Sequence, residues 1–497
     1  MASLQLDSTL VLCLLFVVSY FTIVAKGFGH GRRSAQPPSP PGLPIIGNLL
    51  QFGRGRHHQT LEALARRHGP LILLRIGAVR AVVVSSAPLA DAVLRTQDHV
   101  FCSRPQQYMT RGTFYGCRDV AFSAYSERWR QLRRIAVVHL LSVKRVDSFR
   151  ALREEDVARF VGRVRAASGT QEDGGKRPGV NVTELIITLT YSVISRAAFG
   201  HKLGGVEPAK VRDMMNELTE LLGTIAVSDV FPTIGWLVDW ATGLDARVKR
   251  TAAKLDSIME RTITDHEGNP GNDDGARDLL DDLLSIAKDG DQGFKLDMID
   301  VKGLILDMFI GGTDTTYKAI EWTMAELIKN PREMAKVQSQ RCRSSSHESR
   351  FKMHSCTAMT SRPKPMSWST RGPSPIGRDK DSWVNAEEFR PERFLGGTID
   401  YNGNDPRFLP FGAGRRGCPG MAFGTRLTEL TLANMMYHFD WELPGCQDPD
   451  SFELVEASWV SPGLKSALIL AVKPLTHHSS PDPHRTPLYL QHFFPVG

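Results

Sequence analysis

The eleven residues PFGAGRRGCPG, Pro410–Gly420, decide how the rest of this 497-residue sequence is interpreted. Three glycines in the seven positions before Cys418 allow tight turns and let the backbone lie close to a flat ligand. Pro419 suits the first position of a helix, where its missing N–H costs nothing, so we predict a helix from Pro419 to about Phe439. Cys418 then lies at a helix N-terminus, where the helix dipole favours the thiolate, the form of cysteine that binds metal.

The fixed positions of this stretch resemble the signature of a known family. All five positions of the haem-binding pattern Phe-x-x-Gly-x-Arg-x-Cys-x-Gly of the cytochrome P-450 superfamily are matched, by Phe411, Gly414, Arg416, Cys418 and Gly420. The resemblance implies heme b, with the Cys418 thiolate as the axial ligand that favours O–O cleavage at the iron. It also implies that Arg416 pairs with a haem propionate and that the other three residues belong to the haem-binding loop.

A second motif, GGTDTT at Gly311–Thr316, matches the oxygen-binding helix of the same family and lies within a helix predicted over residues 298–330. Paired glycines weaken a helix and leave room for O2, and an acid beside an alcohol can carry protons to reduced dioxygen. The resemblance gives this proton role to Asp314 and Thr315 and places Gly312 at the haem.

Two further segments follow the family's order. WRQLRR puts Trp129 and Arg133 at i and i+4 on one helical face and matches the family's third helix, whose Trp and Arg contact a propionate. Taken alone, this pair is equally compatible with an Arg stem that covers a Trp. FRPERF, Phe389–Phe394, matches the segment before the haem loop, in which Arg393 completes a triad with a Glu-x-x-Arg helix.

Residues 341–375 depart from the family. They contain nine Ser, seven Lys or Arg and one acid, with no Leu, Ile or Val, and they show neither helical nor alternating periodicity. The only Glu-x-x-Arg between residues 333 and 393 is Glu387–Arg390, which runs into FRPERF and cannot replace the expected helix. A shifted reading frame or altered splicing would produce such a sequence. We expect Arg393 either to be a buried charge without partners or to turn to solvent, and the haem to be held poorly.

The N-terminus predicts a single-pass membrane anchor over residues 1–26. Leu10–Ala25 is a run of sixteen uncharged, mostly apolar residues, near the lower limit for crossing a bilayer. A cleaved signal peptide is the alternative, but the charges follow the apolar run and no clear cleavage site ends it. With the resemblance to plant microsomal members, this predicts the endoplasmic reticulum membrane, with a cytosolic catalytic body.

The remaining organisation is one large domain. A basic and Pro-rich hinge (27–48) precedes a haem-thiolate domain (49–475), and a tail (476–497) is predicted to be disordered. The fold is predicted to be mostly α with small β-sheets, the cytochrome P-450 fold, with a hairpin over residues 70–86. Helices are predicted over 87–96, 127–139, 146–166, 182–198, 208–222, 245–266, 276–287, 298–330 and 419–439.

Composition limits the classes of function. A net charge of +7 without a dense basic stripe suits a membrane surface or an acidic protein and does not predict nucleic-acid binding. Seven cysteines with no Cys-x-x-Cys argue against a disulfide framework or a zinc site.

Two functions remain. The first is a monooxygenase of plant specialised metabolism that inserts one atom of O2 into a small lipophilic substrate, with electrons from NADPH through a flavoprotein reductase. The reductase is expected to dock on the Cys418 side, on a basic face formed by Arg130, Arg134, Lys144, Arg145 and Arg415. The second is a catalytically impaired haem-thiolate homologue that lacks the Glu-x-x-Arg helix.

Overall fold

The computed structural model describes residues 36–52, 57–169, 178–200, 208–268, 277–291, 293–339, 375–379, 382–386, 388–394, 399, 404–457 and 463–475. The predicted anchor and tail, the first part of the hinge and residues 341–374 lie outside these described residues.

The described part of the chain is mostly helical, as predicted. Its α-helices are α1 (His57–His68), α2 (Ala87–Asp91), α3 (Asp98–Phe101), α4 (Tyr108–Thr113), α5 (Glu127–Ile135), α6 (Val143–Ser148), α7 (Arg150–Ala167), α8 (Val182–Phe199), α9 (Pro208–Gly223), α10 (Val227–Val230), α11 (Gly235–Ala241), α12 (Leu244–Gly268), α13 (Leu279–Asp289), α14 (Met298–Lys329), α15 (Pro331–Ser339) and α16 (Met421–His438). Short π-helical stretches, Ala92–Thr96 and Ala136–Leu140, extend α2 and α5.

Two small antiparallel sheets accompany the helices. Strands β1 (Leu71–Ile76) and β2 (Val79–Val84) form the predicted hairpin, in which Ile76 pairs with Val79 across a two-residue turn. Strands β3 (Gly179–Asn181), β4 (Phe439–Glu442) and β5 (Ile469–Pro474) form a second sheet in the order β3-β5-β4. The sequence did not predict this second sheet, because β3 is only three residues long and lacks a pattern of its own.

Helix α14 is the central element, and its first turn is fixed by its own carboxylates. Asp297 accepts a hydrogen bond from the Asp300 amide at 3.0 Å, and Asp300 accepts one from the Asp297 amide at 3.2 Å, which forms a capping box. The fully buried Asp300 carboxylate also accepts from Arg118 and from Arg128, each at 3.0 Å. These contacts tie the start of α14 to the chain that leads into α5.

Helix α8 packs along α14 in the core. Among the described residues it is the one helix long and apolar enough to cross a bilayer, and 61% of it is buried in the protein. Its contact with α14 requires a glycine, because a Cβ on Gly312 would lie 2.6 Å from Cδ1 of Ile194. The burial and the close packing are those of a core helix.

Two buried carboxylates hold a short loop, residues 119–123, by hydrogen bonds to its backbone amides. Asp307 of α14 accepts hydrogen bonds from the amides of Val120 at 2.6 Å and Ala121 at 3.2 Å. Asp119 accepts hydrogen bonds from the amides of Phe122 at 2.7 Å and Ser123 at 3.0 Å. We call residues 119–123 the clamp loop.

Burial makes both carboxylates of this clamp hard to ionise. Burial raises the pKa of Asp119 to about 6, partly opposed by two backbone N–H donors and by the charge of Arg416. Burial, with added repulsion from Asp119, raises the pKa of Asp307 well above its usual range. The second carboxylate oxygen of Asp119 is buried and has no hydrogen-bond partner among the described residues. The pair is therefore most stable when it carries a proton.

The clamp predicts a specific dependence of stability on pH. A carboxyl with a raised pKa keeps its proton in the folded state after the unfolded chain has released it, so its contribution is full below about pH 4 and is lost as pH rises through about pH 6. Asp119→Asn removes this titration and gives the orphaned position an amide. The stability advantage of the variant over wild type should therefore grow by about 1–3 kcal/mol between about pH 4 and pH 7 in denaturant unfolding.

The exposed Asp289, in the last turn of α13, provides the control. Asp289→Asn should keep the wild-type pH dependence. An Asp119→Asn difference from wild type that stays constant across the pH range would contradict the assignment.

Candidate functional site

The loop that carries Cys418 is closed by its own backbone. The Cys418 amide donates to the carbonyl of Phe411 at 2.8 Å, and the Gly417 amide donates to the carbonyl of Gly414 at 3.0 Å. Gly414 has a positive φ of 63°, and a Cβ there would lie 1.9 Å from the Leu94 carbonyl oxygen. Only glycine fits this position, because the loop packs directly on the π-helical stretch that follows α2.

Cys418 lies further from the helix than the sequence predicted. Pro419 was predicted as the first helical residue, but the helix begins at Met421. Gly420 lies directly before it, with a non-helical φ of −85° and ψ of 10°. The Cys418 side chain is exposed and therefore accessible to a ligand. A Cβ on Gly420 would lie 3.9 Å from Sγ of Cys418, so this glycine forms one boundary of the space around the sulfur.

Arg416 connects this loop to the chain before α5. Its guanidinium lies 4.0 Å from the centroid of the Trp129 ring. It donates to the carbonyls of Cys102 at 2.6 Å, of Val120 at 3.2 Å and of Ser123 at 2.7 Å. Burial and the neighbouring Arg104 lower the pKa of Arg416 to about 10. The resemblance implies a propionate as the partner of Arg416; in the structure three of its five N–H groups donate to carbonyls, and two are left for such an anion.

Trp129 and Arg133 both reach the site from α5, as the i, i+4 spacing predicted, but with different partners. The indole N–H of Trp129 donates to the Val120 carbonyl at 3.0 Å, so this side chain holds the clamp loop and offers its ring to Arg416. Arg133 donates to the carbonyl of Gly417, directly before Cys418, and burial lowers its pKa. Trp129 therefore acts by positioning its neighbours, and its single donor is not free for a propionate.

Arg104 is the site residue that sequence reasoning did not single out. Its Nε is buried without a hydrogen-bond partner among the described residues, and burial lowers its pKa to about 10. It lies close enough to Arg416 for the two cations to repel each other. The available signal was the FCSRP segment, in which Arg104 stands directly before a proline, but nothing in that segment shows what the side chain meets.

Arg133 and Arg416 therefore lie beside Cys418, and Arg104 lies close to Arg416; burial lowers the pKa of each of the three guanidinium groups. Half-buried cations that repel one another are costly unless an anion joins them. The propionates of a haem beside a cysteine ligand satisfy this requirement, so the residues present fit the cofactor that the sequence pattern implies.

The two glycines of the second motif have different surroundings. The placement of Gly312 at the haem stays a prediction; in the structure a Cβ on Gly312 would lie 2.6 Å from Cδ1 of Ile194 in α8. Gly311 faces open space instead, with no atom within 4 Å of a Cβ built there. The hydroxyl of Thr315 donates to the Gly311 carbonyl at 2.6 Å, and α14 continues without a break.

Asp314 has a partner that the sequence motif did not predict. Its carboxylate accepts a hydrogen bond from Lys318, one turn later on α14, at 2.7 Å. The side chains of Asp314 and Lys318 are only 13% and 8% exposed, so this is a largely buried ion pair. The acid of the motif is thus already held by a cation.

The structure brings the two motifs together. Helices α14 and α16 pack against each other, and a Cβ on Gly424 would lie 3.8 Å from Oγ1 of Thr316. The start of α16, which follows Cys418, therefore lies beside the residue that follows Thr315. Proximity of the thiol loop and the acid–alcohol pair is a property of the fold.

The expectation for Arg393 is corrected by its contacts. Arg393 donates to the carbonyls of Val384 and Asn385, and to that of Glu388 at 3.2 Å. It is therefore not a charge without partners, since main-chain carbonyls of the preceding segment accept its N–H groups, and these contacts lie on the exposed side of the segment, toward solvent. The adjacent Glu392 forms an ion pair of 2.5 Å with Lys336 of α15.

Comparison with known proteins identifies the family to which this chain belongs. The family described as Cytochrome P450 matches residues 37–360 and 372–467, and the unmatched residues 361–371 lie inside the segment set apart above. Cytochrome P450 71A1 of Persea americana is 41% identical over 465 residues, 86% of this chain and 91% of that protein. Cytochrome P450 71A25 of Arabidopsis thaliana is 35% identical over 492 residues, 91% of this chain and 96% of that protein.

Solved structures agree on the fold. A zebra fish cytochrome P450 structure with abiraterone has a TM-score of 0.67 at 21% identity and covers 85% of this chain and 100% of its own. Another, with progesterone, has a TM-score of 0.68 and covers 84% of this chain. With these matches and the site geometry, the chain belongs to the cytochrome P450 family of haem-dependent monooxygenases.

Proposed function

We propose that this chain binds heme b through the Cys418 thiolate and inserts one oxygen atom of O2 into a small lipophilic substrate. Electrons come from NADPH through a flavoprotein reductase. The observation that carries the proposal is the group of three desolvated arginines, Arg104, Arg133 and Arg416, beside the exposed Cys418. Arg104, Arg133 and Arg416 form no ion pair with a carboxylate in the described part of the chain, and a thiol beside such half-buried cations is the donor set that a haem with two propionates requires.

The protein's part is to hold and orient. When bound, the haem iron with a thiolate ligand supplies the activation of O2. Arg104 and Arg133 would hold the propionates, and Arg416 would add its two remaining N–H groups while it keeps the clamp loop in place. The Phe411 carbonyl accepts a hydrogen bond from the Cys418 amide and so orients the cysteine. Gly414 lets the loop lie against its neighbours.

Thr315 and Asp314 are assigned to proton delivery. The Thr315 hydroxyl donates to Gly311, which leaves its oxygen lone pairs as acceptors on the side that Gly311 leaves open. A proton that reaches Thr315 Oγ1 is then within reach of a ligand in that space. Asp314, the neighbouring acid, is the source or relay of that proton.

An exposed apolar cluster around α11 supports a location on the endoplasmic reticulum membrane. Four large apolar side chains within or directly before α11 are more than half exposed: Ile234, Trp236, Leu237 and Trp240. Aromatic side chains in such a cluster suit the membrane interface.

The Pro-rich hinge is connected to this cluster through the hairpin of β1 and β2. The Leu73 amide of β1 donates to the Pro38 carbonyl at 2.9 Å, and the amide of Ala78, in the turn of the hairpin, donates to the Val230 carbonyl at 2.9 Å. The hinge that follows the predicted anchor and the exposed apolar cluster are thus joined through one hairpin, which supports attachment by both.

The docking face for the reductase differs from the sequence expectation. Four of the five cations proposed for it are paired within the chain: Arg130 with Glu127, Arg134 with Asp291, Arg145 with Asp282 and Arg415 with Asp98. Its net positive charge is therefore lower than expected. We keep the reductase on this side, where the exposed Val138, Val143 and Lys144 offer a mixed apolar and basic surface.

A second candidate function follows from residues 341–375, which contain no Glu-x-x-Arg. In this alternative the chain is a catalytically impaired haem-thiolate homologue. The carbonyl contacts of Arg393 and the Lys336–Glu392 ion pair then serve as the link between α15 and the segment before the haem loop. Ion pairs of this exposed kind contribute at most about 1 kcal/mol, less than a packed helix would.

Loss of Arg104 should weaken haem retention without weakening the apoprotein. Arg104→Gln removes a charge-assisted hydrogen bond to a propionate, so we expect an increase of about tenfold in the haem dissociation constant. Thermal unfolding of the apoprotein should be unchanged or raised, because a buried unpaired cation is removed. Arg111→Gln, on an exposed arginine of α4, is the control and should leave haem binding unchanged. Equal haem affinity in Arg104→Gln and wild type would refute the propionate role.

Thr315→Ala should keep the haem and waste electrons. Without the hydroxyl, protons arrive poorly at the oxygen side, so a larger share of the NADPH consumed should appear as peroxide. The measurement compares NADPH, peroxide and oxidised product with a fluorogenic alkoxy-aromatic probe. Thr313→Ala is the matched control, because Thr313 makes the same bond to the carbonyl four residues earlier, at 2.8 Å, but is buried away from the open side. Unchanged coupling in Thr315→Ala would argue against the role.

Replacement of residues 341–375 by a family-type segment with its Glu-x-x-Arg helix distinguishes the two candidate functions. If the impaired function is correct, the graft should raise haem occupancy and thermal stability together. A native chain with full haem occupancy and turnover equal to the graft excludes the impaired function.

A further inference from the structure

Lys318 is a buried lysine in the middle of α14. The residue is 6% exposed, and its Nζ lies 2.7 Å from Oδ1 of Asp314. Lysine is almost never buried this far unless it is paired, since desolvation of an ammonium costs several kcal/mol. Neither the oxygen-helix motif nor the residues assigned to the haem include it.

Its surroundings hold the side chain in one place. A Cβ on Gly463 would lie 3.2 Å from Cε of Lys318, so backbone outside α14 packs against the methylene stem. On the helix, Nζ also lies 5.4 Å from the centroid of the Tyr317 ring. The stem therefore has little freedom, and the ammonium is directed along the helix.

A second buried acid faces Lys318 from the other side. Glu321, one turn later, is 2% exposed and accepts hydrogen bonds from the Thr183 hydroxyl of α8 and from the Leu464 amide at 3.4 Å. Burial raises the pKa of Glu321, and the Thr183 and Leu464 hydrogen bonds and the charge of Lys318 oppose that rise. The charged groups around the ammonium are thus Asp314 and Glu321.

The ion pair has a direct consequence for Asp314. With Lys318 in place, the Asp314 carboxylate is held by the ammonium one turn later on the helix. The Thr315 hydroxyl donates to the carbonyl one turn earlier, that of Gly311. Without the ammonium, a carboxylate that is only 13% exposed would lose this partner and its fixed orientation.

We propose that Lys318 is a positioning residue for oxygen activation: it holds the Asp314 carboxylate in one orientation, and the carboxylate serves proton delivery only through this ion pair. The inference rests on the proposed monooxygenase function and adds a residue outside the motif to the same site. Lys318 does not touch the reacting atoms and acts through Asp314.

Two variants separate the effect of the Lys318 charge from the effect of its packed stem. Lys318→Met removes the ammonium and keeps a long apolar stem, and Lys318→Arg restores the charge. The matched control is Lys302→Met, because Lys302 also lies on α14 and forms ion pairs with Asp256 at 2.8 Å and Glu260 at 2.5 Å, far along the helix from Asp314.

The first measurement is a double-mutant cycle in thermal unfolding of the full chain. Lys318→Met alone should lower the midpoint by several degrees, because it leaves Asp314 buried and unpaired. The same change in an Asp314→Asn background should lower it clearly less. This readout does not depend on turnover, so it remains decisive if the chain proves inactive. Additive shifts would overturn the proposal.

The second measurement is the share of NADPH electrons that appears as peroxide, with reductase and the alkoxy-aromatic probe. Lys318→Met should raise this share several-fold in the wild-type background and leave it unchanged in Asp314→Asn. Lys318→Arg should restore coupling, and Lys302→Met should lower stability without changing the share. If wild type turns over and Lys318→Met keeps the wild-type share, the inference is wrong while the proposed function stands. If wild type binds no haem, the proposed function fails and the thermal cycle still tests the pair.

Discussion

The arrangement of the site depends on one buried cation. The guanidinium of Arg416 stacks on Trp129 and donates to three main-chain carbonyls, so it joins the cysteine loop, helix α5 and the clamp loop in a single contact. A planar group with five donors in fixed directions can make such a connection, and lysine cannot. Arg104 and Arg133 lie close enough to Arg416 to repel it, and an anion beside Cys418 would relieve this repulsion.

The clamp loop is held from the opposite side by carboxylates. Asp307 of α14 accepts hydrogen bonds from two amides of the loop, and Arg416 and Trp129 donate to its carbonyls. The backbone groups of this loop thus contact α14 through Asp307, α5 through Trp129 and the cysteine loop through Arg416. The clamp loop therefore links the helix of the second motif to the loop that carries Cys418. The Lys318–Asp314 pair adds a second constraint, within the helix itself.

Local signals in the sequence predicted most of the elements. The Gly-rich approach to Cys418 and the i, i+4 spacing of Trp129 and Arg133 each depend on a few neighbouring residues, and the structure has them close to the predicted places. Helix α16 begins two residues later than predicted because Gly420 keeps a non-helical conformation.

The remainder depends on contacts between distant parts of the chain. The space beside Gly312 is limited by Ile194 of another helix, and the Arg104 Nε is identified only by the lack of a partner in the described residues. Ion pairs such as Arg134–Asp291 join residues 157 positions apart, so the sequence overestimated the basic face. No pattern within a single segment contains this information.

The central claim is that Cys418 ligates a haem iron as the thiolate, in a pocket prepared by the three arginines. Its most direct test is the absorption spectrum of the purified full-length chain, reduced and under carbon monoxide, beside Cys418→Ser. Wild type should show the long-wavelength Soret band of a thiolate-ligated carbon monoxide complex, and Cys418→Ser should lack it. A wild-type protein with no such band after haem reconstitution, or a Cys418→Ser protein that retains it, would rule out Cys418 as the thiolate ligand.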